Sequence, residues 1–128
     1  MSTLCLPHTP PMLLVTELLS WSEEGGKALA HILPDNPFLL PSGLLERCAH
    51  AELVAQCFAA AAGAASGAKD GFLAGVRDLS VIHDAMCRDV LTITAKAEAK
   101  VGPIVSLRGS VYRAELCLSS VALKVYIP

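Results

Sequence analysis

An apolar, alanine-rich stretch in the first half of the chain limits the available folds more than any other feature. From Pro41 to Gly63 the sequence reads PSGLLERCAHAELVAQCFAAAAG, with no proline after Pro41 and few polar residues. An exposed helix carries a wide polar face, whereas a helix that is apolar nearly all round has to be buried. Five alanines fall between Ala55 and Ala62, and side chains that small let neighbouring elements come close to the helix axis. Ser42 reads as the N-cap and Gly63 or Gly67 as the stop. The pattern predicts a buried hub helix with the rest of the chain arranged around it as strands.

The flanking segments fit that arrangement. Thr3–Pro11 contains LPHTPP, whose three prolines exclude a regular helix or a central strand. Met12–Trp21 is apolar and fits a strand or a short helix, Ser22–Gly26 (SEEGG) is a turn, and Lys27–Leu33 pairs back as a hairpin. Pro34–Pro41 is a loop carrying apolar side chains towards the hub. After a Gly/Ala/Ser-rich exit, Phe72–Ile82 reads as a strand with a glycine inside it. Asp89–Lys100 alternates: Leu91, Ile93, Ala95, Ala97 and Ala99 interleave with Thr92, Thr94, Lys96, Glu98 and Lys100, the period of a half-exposed strand. Two more strands, Ile104–Tyr112 and Leu116–Ile127, follow a turn at Val101-Gly102-Pro103. A hairpin, a buried helix and further antiparallel strands make an α+β fold, a single curled sheet around one helix. Such a sheet covers the helix on one side only, so pairing through an edge strand would dispose of both the remaining apolar surface and the free edge.

At 128 residues the chain is long enough for one domain, 1–128, and too short for two. Hydrophobic residues make up 53% and charged residues 17%, a surface poor in charge that points to an oligomer interface. The net charge is −2 and the ten Lys and Arg residues form no run in sequence, which argues against nucleic acid as the main partner. No uninterrupted apolar run approaches the roughly 20 residues that span a bilayer. The stretch MSTLCLPHTPPMLLV lacks the basic start and small-residue cleavage site of a signal peptide, so a cytoplasmic location is expected. Five scattered cysteines, none in a CxxC pair, read as reduced and mostly buried small hydrophobes.

Two polar residues within the hub call for an explanation. Glu52 and Gln56 stand at i,i+4 and share a helix face. A carboxylate in a buried segment is paired, hydrogen-bonded, protonated or reaching solvent. It is then either a structural acid or a carboxyl kept in an apolar pocket for acid–base work, where burial raises its pKa. His50 lies two residues from Glu52, about 200° around the helix, so the two leave opposite faces; its expected partner is Glu46 at i−4. His31 and His83 fall in strand-like segments and read as surface or interface residues. No His/Cys cluster has metal-ligand spacing. The phosphate loop, the dinucleotide fingerprint and the G-x-S-x-G elbow are absent. No metal and no cofactor are expected.

Several segments together resemble the hotdog-fold 3-hydroxyacyl-ACP dehydratases, nearest to the divergent branch associated with aryl-polyene clusters. They are LPHTPPMLLV near the start, NPFLL before the helix, AELVAQ within it, GFLAGVRDLSV after it and the closing VALKVYIP. The resemblance implies reversible dehydration of a 3-hydroxyacyl thioester to the trans-2-enoyl thioester, in a tunnel at a dimer interface. A histidine would remove the α-proton, a helix carboxylate would assist loss of the hydroxyl, and backbone N–H groups at the helix start would polarise the thioester carbonyl. Carried over by position, Glu52 is the helix carboxylate and Gln56 the glutamine after it. Gln56, Phe38 and Phe72 are assigned to substrate binding. The resemblance also implies an acyl carrier protein or acyl-CoA as partner, and a homodimer or a heterodimer with a related hotdog subunit.

The chain departs from the family pattern at two places. The His-Phe-Pro-Gly segment that supplies the base in better-known dehydratases is replaced by NPFLLPSG, and Glu46 and Arg47 stand where a proline and a small residue are usual. His8, in the LPH segment, is the expected replacement base; its structural alternative is a loop histidine anchoring the N-terminus. Three readings follow: a dehydratase using Glu52 and His8, a non-catalytic hotdog subunit that binds acyl chains or partners a synthase, and a thioesterase in which Glu52 activates water.

Overall fold

The computed structural model describes residues 15–66 and 72–126, apart from the side chains of Ser66, Phe72 and Leu73. The expectations placed on His8, Cys5 and the proline-rich lead-in therefore lie outside the described residues. Within them, six strands and one helix follow in the order β1 (Glu17–Ser22), β2 (Gly25–His31), α1 (Ala49–Ser66), β3 (Phe72–Val81), β4 (Val90–Val101), β5 (Ile104–Arg113) and β6 (Leu116–Tyr126). The strands form one antiparallel sheet ordered β1-β2-β4-β5-β6-β3. α1 crosses from the β1–β2 hairpin to β3 at the opposite edge and contacts all six strands.

The alternation expected in β4 is realised as far as Ala97. Leu91, Ile93 and Ala95 are buried against the helix while Thr92, Thr94 and Lys96 face outwards. A bulge between Ala97 and Ala99 then breaks the period, and Ala99 is exposed rather than inward. The hairpin turn is tighter than SEEGG suggests. Only Glu23 and Glu24 turn, and both glycines belong to β2.

Small residues set the distance between helix and sheet. A Cβ on Gly26 would lie 2.9 Å from the Ala61 methyl, and one on Gly109 would run into the Val54 side chain. A glycine within a strand here marks a close approach, and the helix meets it with alanine. Leu53, Val54, Cys57 and Phe58 fill the remaining space against Ile93, Leu107, Val111 and Leu123.

The helix starts six residues later than its sequence pattern indicates. Ser42 caps a turn instead, its hydroxyl accepting the Leu44 N–H at 3.4 Å. Gly43 takes a left-handed φ of +88°, which no continuing helix adopts. Leu45 is buried with its N–H donating to the Ala85 carbonyl, and the Glu46 N–H donates to the Phe38 carbonyl. Residues 38–46 are thus bound to their neighbours as a loop. α1 has 18 residues, about 27 Å at 1.5 Å per residue; Gly63 lies inside it, and it ends one residue before Gly67.

The cysteines are less buried than expected. Cys57 is buried, Cys87 and Cys117 are half-buried, and Cys48 is exposed; all four are free. Burial pushes the Cys57 thiol up to about 12, which leaves it protonated and inert.

Candidate active site

Glu52 and Gln56 meet across one helical turn, as their spacing requires. Gln56 is 1% exposed, and its Nε2 donates to Glu52 Oε1 at 3.2 Å. Its Oε1 accepts the N–H of Val15, itself fully buried, at 3.3 Å. One amide thus fastens the chain leading into β1 to the helix and also orients the carboxylate. Glu52 is half-buried, at the margin of the core rather than sealed within it.

The side chains expected to join this pair are distributed as follows. Phe38 packs part-buried against the core in the loop before α1, its N–H donating to Asn36 Oδ1 at 2.8 Å and its carbonyl accepting from Glu46. Phe72 begins β3 opposite Tyr126. His31 is exposed at the end of β2; His83 is also exposed but lies beyond β3, in a bend whose N–H donates to the Leu118 carbonyl.

His50 faces a different direction. It is fully buried, and its Nδ1 shares a 2.6 Å hydrogen bond with Ser119 Oγ on β6. Its expected partner, Glu46, precedes the helix, so the i−4 relation does not operate. Burial depresses the His50 pKa; the nearby Asp84 opposes this and Arg47 reinforces it, leaving a neutral imidazole. His50 Nε2 is the one buried side-chain nitrogen or oxygen among the described residues that lacks a hydrogen-bond partner. The Ser119 contact was not anticipated, although a serine in the inward register of β6, beside Leu118 and Val121, is the signal that marks it.

The start of α1 is also tied down. The N–H groups of Ala49, His50 and Ala51 donate to the carbonyls of Glu46, Arg47 and Cys48 at 3.0–3.2 Å. These first-turn donors are ordinarily unsatisfied within a helix; here they are occupied, so in this arrangement they do not polarise a carbonyl. The Arg47 guanidinium grips both Asp84 oxygens at 3.1 and 3.4 Å, and its hydrogen bond holds the Asp84 carboxyl below the usual range. Arg113 adds bonds to the Asp84 carbonyl and to Asp89 Oδ2 at 2.8 Å. Among the described residues, no group of three His, Cys, Asp or Glu side chains is placed to hold a metal ion, and no helix is long and apolar enough to cross a membrane.

This geometry recurs in known folds. The chain is similar to a dehydratase heterocomplex, ApeI:P from Xenorhabdus doucetiae, at 23% identity over 97% of this chain and 88% of that one, with a TM-score of 0.84. It is similar in fold to the PaaI protein of the E. coli phenylacetic acid degradation operon (12% identity, 86% and 81% coverage, TM-score 0.68). A hypothetical thioesterase from Streptococcus pneumoniae with coenzyme A also shares the fold (13% identity, 87% and 86% coverage, TM-score 0.67). No curated protein sequence matches the chain. The ApeP-like family, described as ApeP dehydratase, matches residues 2–128, and this hotdog-fold chain, with its curled six-stranded sheet and single helix, belongs to that dehydratase family.

Proposed function

We propose that this chain is the carboxylate-bearing subunit of a dehydratase that converts a carrier-bound 3-hydroxyacyl thioester, of fatty-acid or aryl-polyene type, to the trans-2-enoyl thioester. The observation carrying this reading is the Glu52–Gln56 pair, with the carboxyl at the margin of an apolar core and oriented by a buried amide. Glu52 in its protonated form donates to the departing hydroxyl while a histidine takes the α-proton. The C2–H and C3–O bonds break, the C2=C3 double bond forms, and water leaves. His50 does not serve as that base, because its ring is held by Ser119 in the core. The base we assign is His8, seven residues before Val15, where the chain reaches Gln56. We assign substrate binding to Phe38 and Phe72.

The heterocomplex from Xenorhabdus doucetiae supports a paired assembly. In our reading a related hotdog subunit pairs with β3, an edge strand among the described residues, where Val76 is 47% exposed and Ile82, just beyond the strand, 70% exposed. A second reading, a subunit that binds the acyl chain without turning it over, is favoured by the occupied N–H groups of the helix start.

The test is hydration of a trans-2-enoyl carrier protein by this chain alone and with a hotdog partner, followed by mass spectrometry of the acyl carrier. Water addition that requires Glu52 supports the dehydratase, and its loss in His8→Ala identifies the base. Retained turnover in that variant assigns the base to the partner. Release of free acid points to a thioesterase, and binding without turnover to the second reading.

A further inference from the structure

We propose that the outer face of the sheet docks an acidic protein surface through a band of five basic side chains: Lys27, Lys96, Arg108, Lys124 and Arg77. They stand on five adjacent strands, β2, β4, β5, β6 and β3. Lys96 and Arg108 are direct partners across β4 and β5. Lys27 pairs with Thr94, two residues from Lys96 and on the same face. Lys124 pairs with Ser106, two residues from Arg108. Arg77 joins through Glu98, which accepts from Arg77 at 3.4 Å and from Arg108 at 3.1 Å. With strands spaced about 4.8 Å apart, the band is about 19 Å wide.

The charge on this face opposes that of the chain. Five cations share it with three carboxylates, Glu98, Asp78 and Glu17, the last paired with Leu29 on the face of Lys27, giving +2 on a protein whose net charge is −2. Among the described residues, Lys27, Lys96 and Lys124 are exposed and form no ion pair. Lys96 stands directly opposite Arg108, and Glu98 pairs with Arg108 but not with Lys96, which leaves the lysine charge for an anionic partner.

Thr94, Ser106, Ser110 and Ser120 separate the charges, and the two tyrosines on this face, Tyr112 and Tyr126, stand beyond the band rather than between its charges, where a binder of single-stranded nucleic acid would place stacking aromatics. A face that curls around its helix also meets a flat bilayer over little area. An acidic protein suits it best, and on the dehydratase reading, on which this step rests, that protein is the carrier presenting the thioester. The band ends at Arg77 on β3, an edge strand among the described residues, so a seated carrier stands beside the seam with a paired subunit.

The experiment measures binding of a labelled, acidic holo-acyl carrier protein to the full chain, and steady-state hydration by the chain with its hotdog partner. It compares wild type with Lys27→Glu/Lys96→Glu/Lys124→Glu. The triple variant should bind the carrier roughly tenfold more weakly or worse and lose most of its salt dependence. KM for the enoyl carrier should rise, with kcat and KM for an enoyl-pantetheine unchanged. Equal affinity in wild type and variant overturns the proposal. So does unchanged carrier binding alongside loss of wild-type binding to phosphatidylglycerol vesicles, which would make the face a membrane surface. If the pair has no hydration activity but the triple variant still loses the carrier, the docking surface stands and the dehydratase reading falls.

Discussion

His50 and Glu52 lie two residues apart on one helix, and their surroundings are opposite. His50 is sealed in the core, one ring nitrogen on Ser119 and the other without a partner, with its pKa depressed by burial. Glu52 is half-buried and takes a hydrogen bond from an amide that is itself anchored to Val15. On a helix buried against a sheet, a polar group facing the sheet fixes packing. One that leaves at the margin keeps a face for chemistry. The comparison gives His50 a structural place, and on the proposed function it leaves Glu52 for the reaction.

The largest effect should come from the reactive side. Glu52→Gln keeps the shape and the Gln56 contact but removes the acid, so enoyl hydration should fall at least a hundredfold, within the range of general acid–base catalysis. Its urea midpoint should change little. His50→Leu should retain turnover in whatever fraction stays folded. If it instead silences the enzyme as fully as Glu52→Gln while remaining folded, the division between the two faces is broken.

The structural side should answer in stability. Ser119→Ala leaves the second His50 nitrogen unpartnered, and His50→Leu leaves the serine hydroxyl buried alone. Each should cost about 1–3 kcal/mol in urea denaturation, whereas replacing both with apolar groups costs much less than the sum. Strict additivity in that cycle would mean that the 2.6 Å contact contributes nothing specific. Gln56→Leu touches both sides. It strips a donor from Glu52 and an acceptor from Val15 N–H, so turnover should drop roughly tenfold, the equivalent of about 1.4 kcal/mol, with a modest loss of stability.

How far these two sides can be read from sequence depends on how local each contact is. Glu52 and Gln56 meet because four residues make one turn, so their contact is legible in AELVAQ. His50 and Ser119 are 69 residues apart, and only the register of β6 brings them together. The same distinction applies to the fold. Alternation shows that Leu91, Ile93 and Ala95 face the helix, but the bulge that exposes Ala99 depends on pairing with β5. The apolar run announces a buried helix, yet its start is decided by the left-handed Gly43 and by the Leu45 N–H bonding to Ala85, a residue some forty positions on. His8, on which the expected site also depends, lies outside the described residues.

The smallest and most specific effect is on pH dependence. A buried imidazole with a depressed pKa binds its proton less readily in the folded than in the unfolded chain, where the value is near 6.5. Between that value and the lower folded pKa the unfolded state carries more protons, so stability rises with pH. His50 therefore contributes fully above about 6.5, and its contribution is lost progressively as the pH falls to the folded pKa. The slope is at most about 1.4 kcal/mol per pH unit. Asp84 acts in the same direction but lower, because its hydrogen bond to Arg47 holds its carboxyl below the ordinary value of 3.8 and its contribution is lost only on further acidification. Arg47 and Arg113, which also face this corner, keep their charge throughout. Urea titrations from pH 7.5 to 5 should show the upper slope in wild type and a flatter one in His50→Leu/Ser119→Ala. An unchanged slope in the double variant would assign the acid sensitivity to another group and remove the electrostatic half of the contrast between His50 and Glu52.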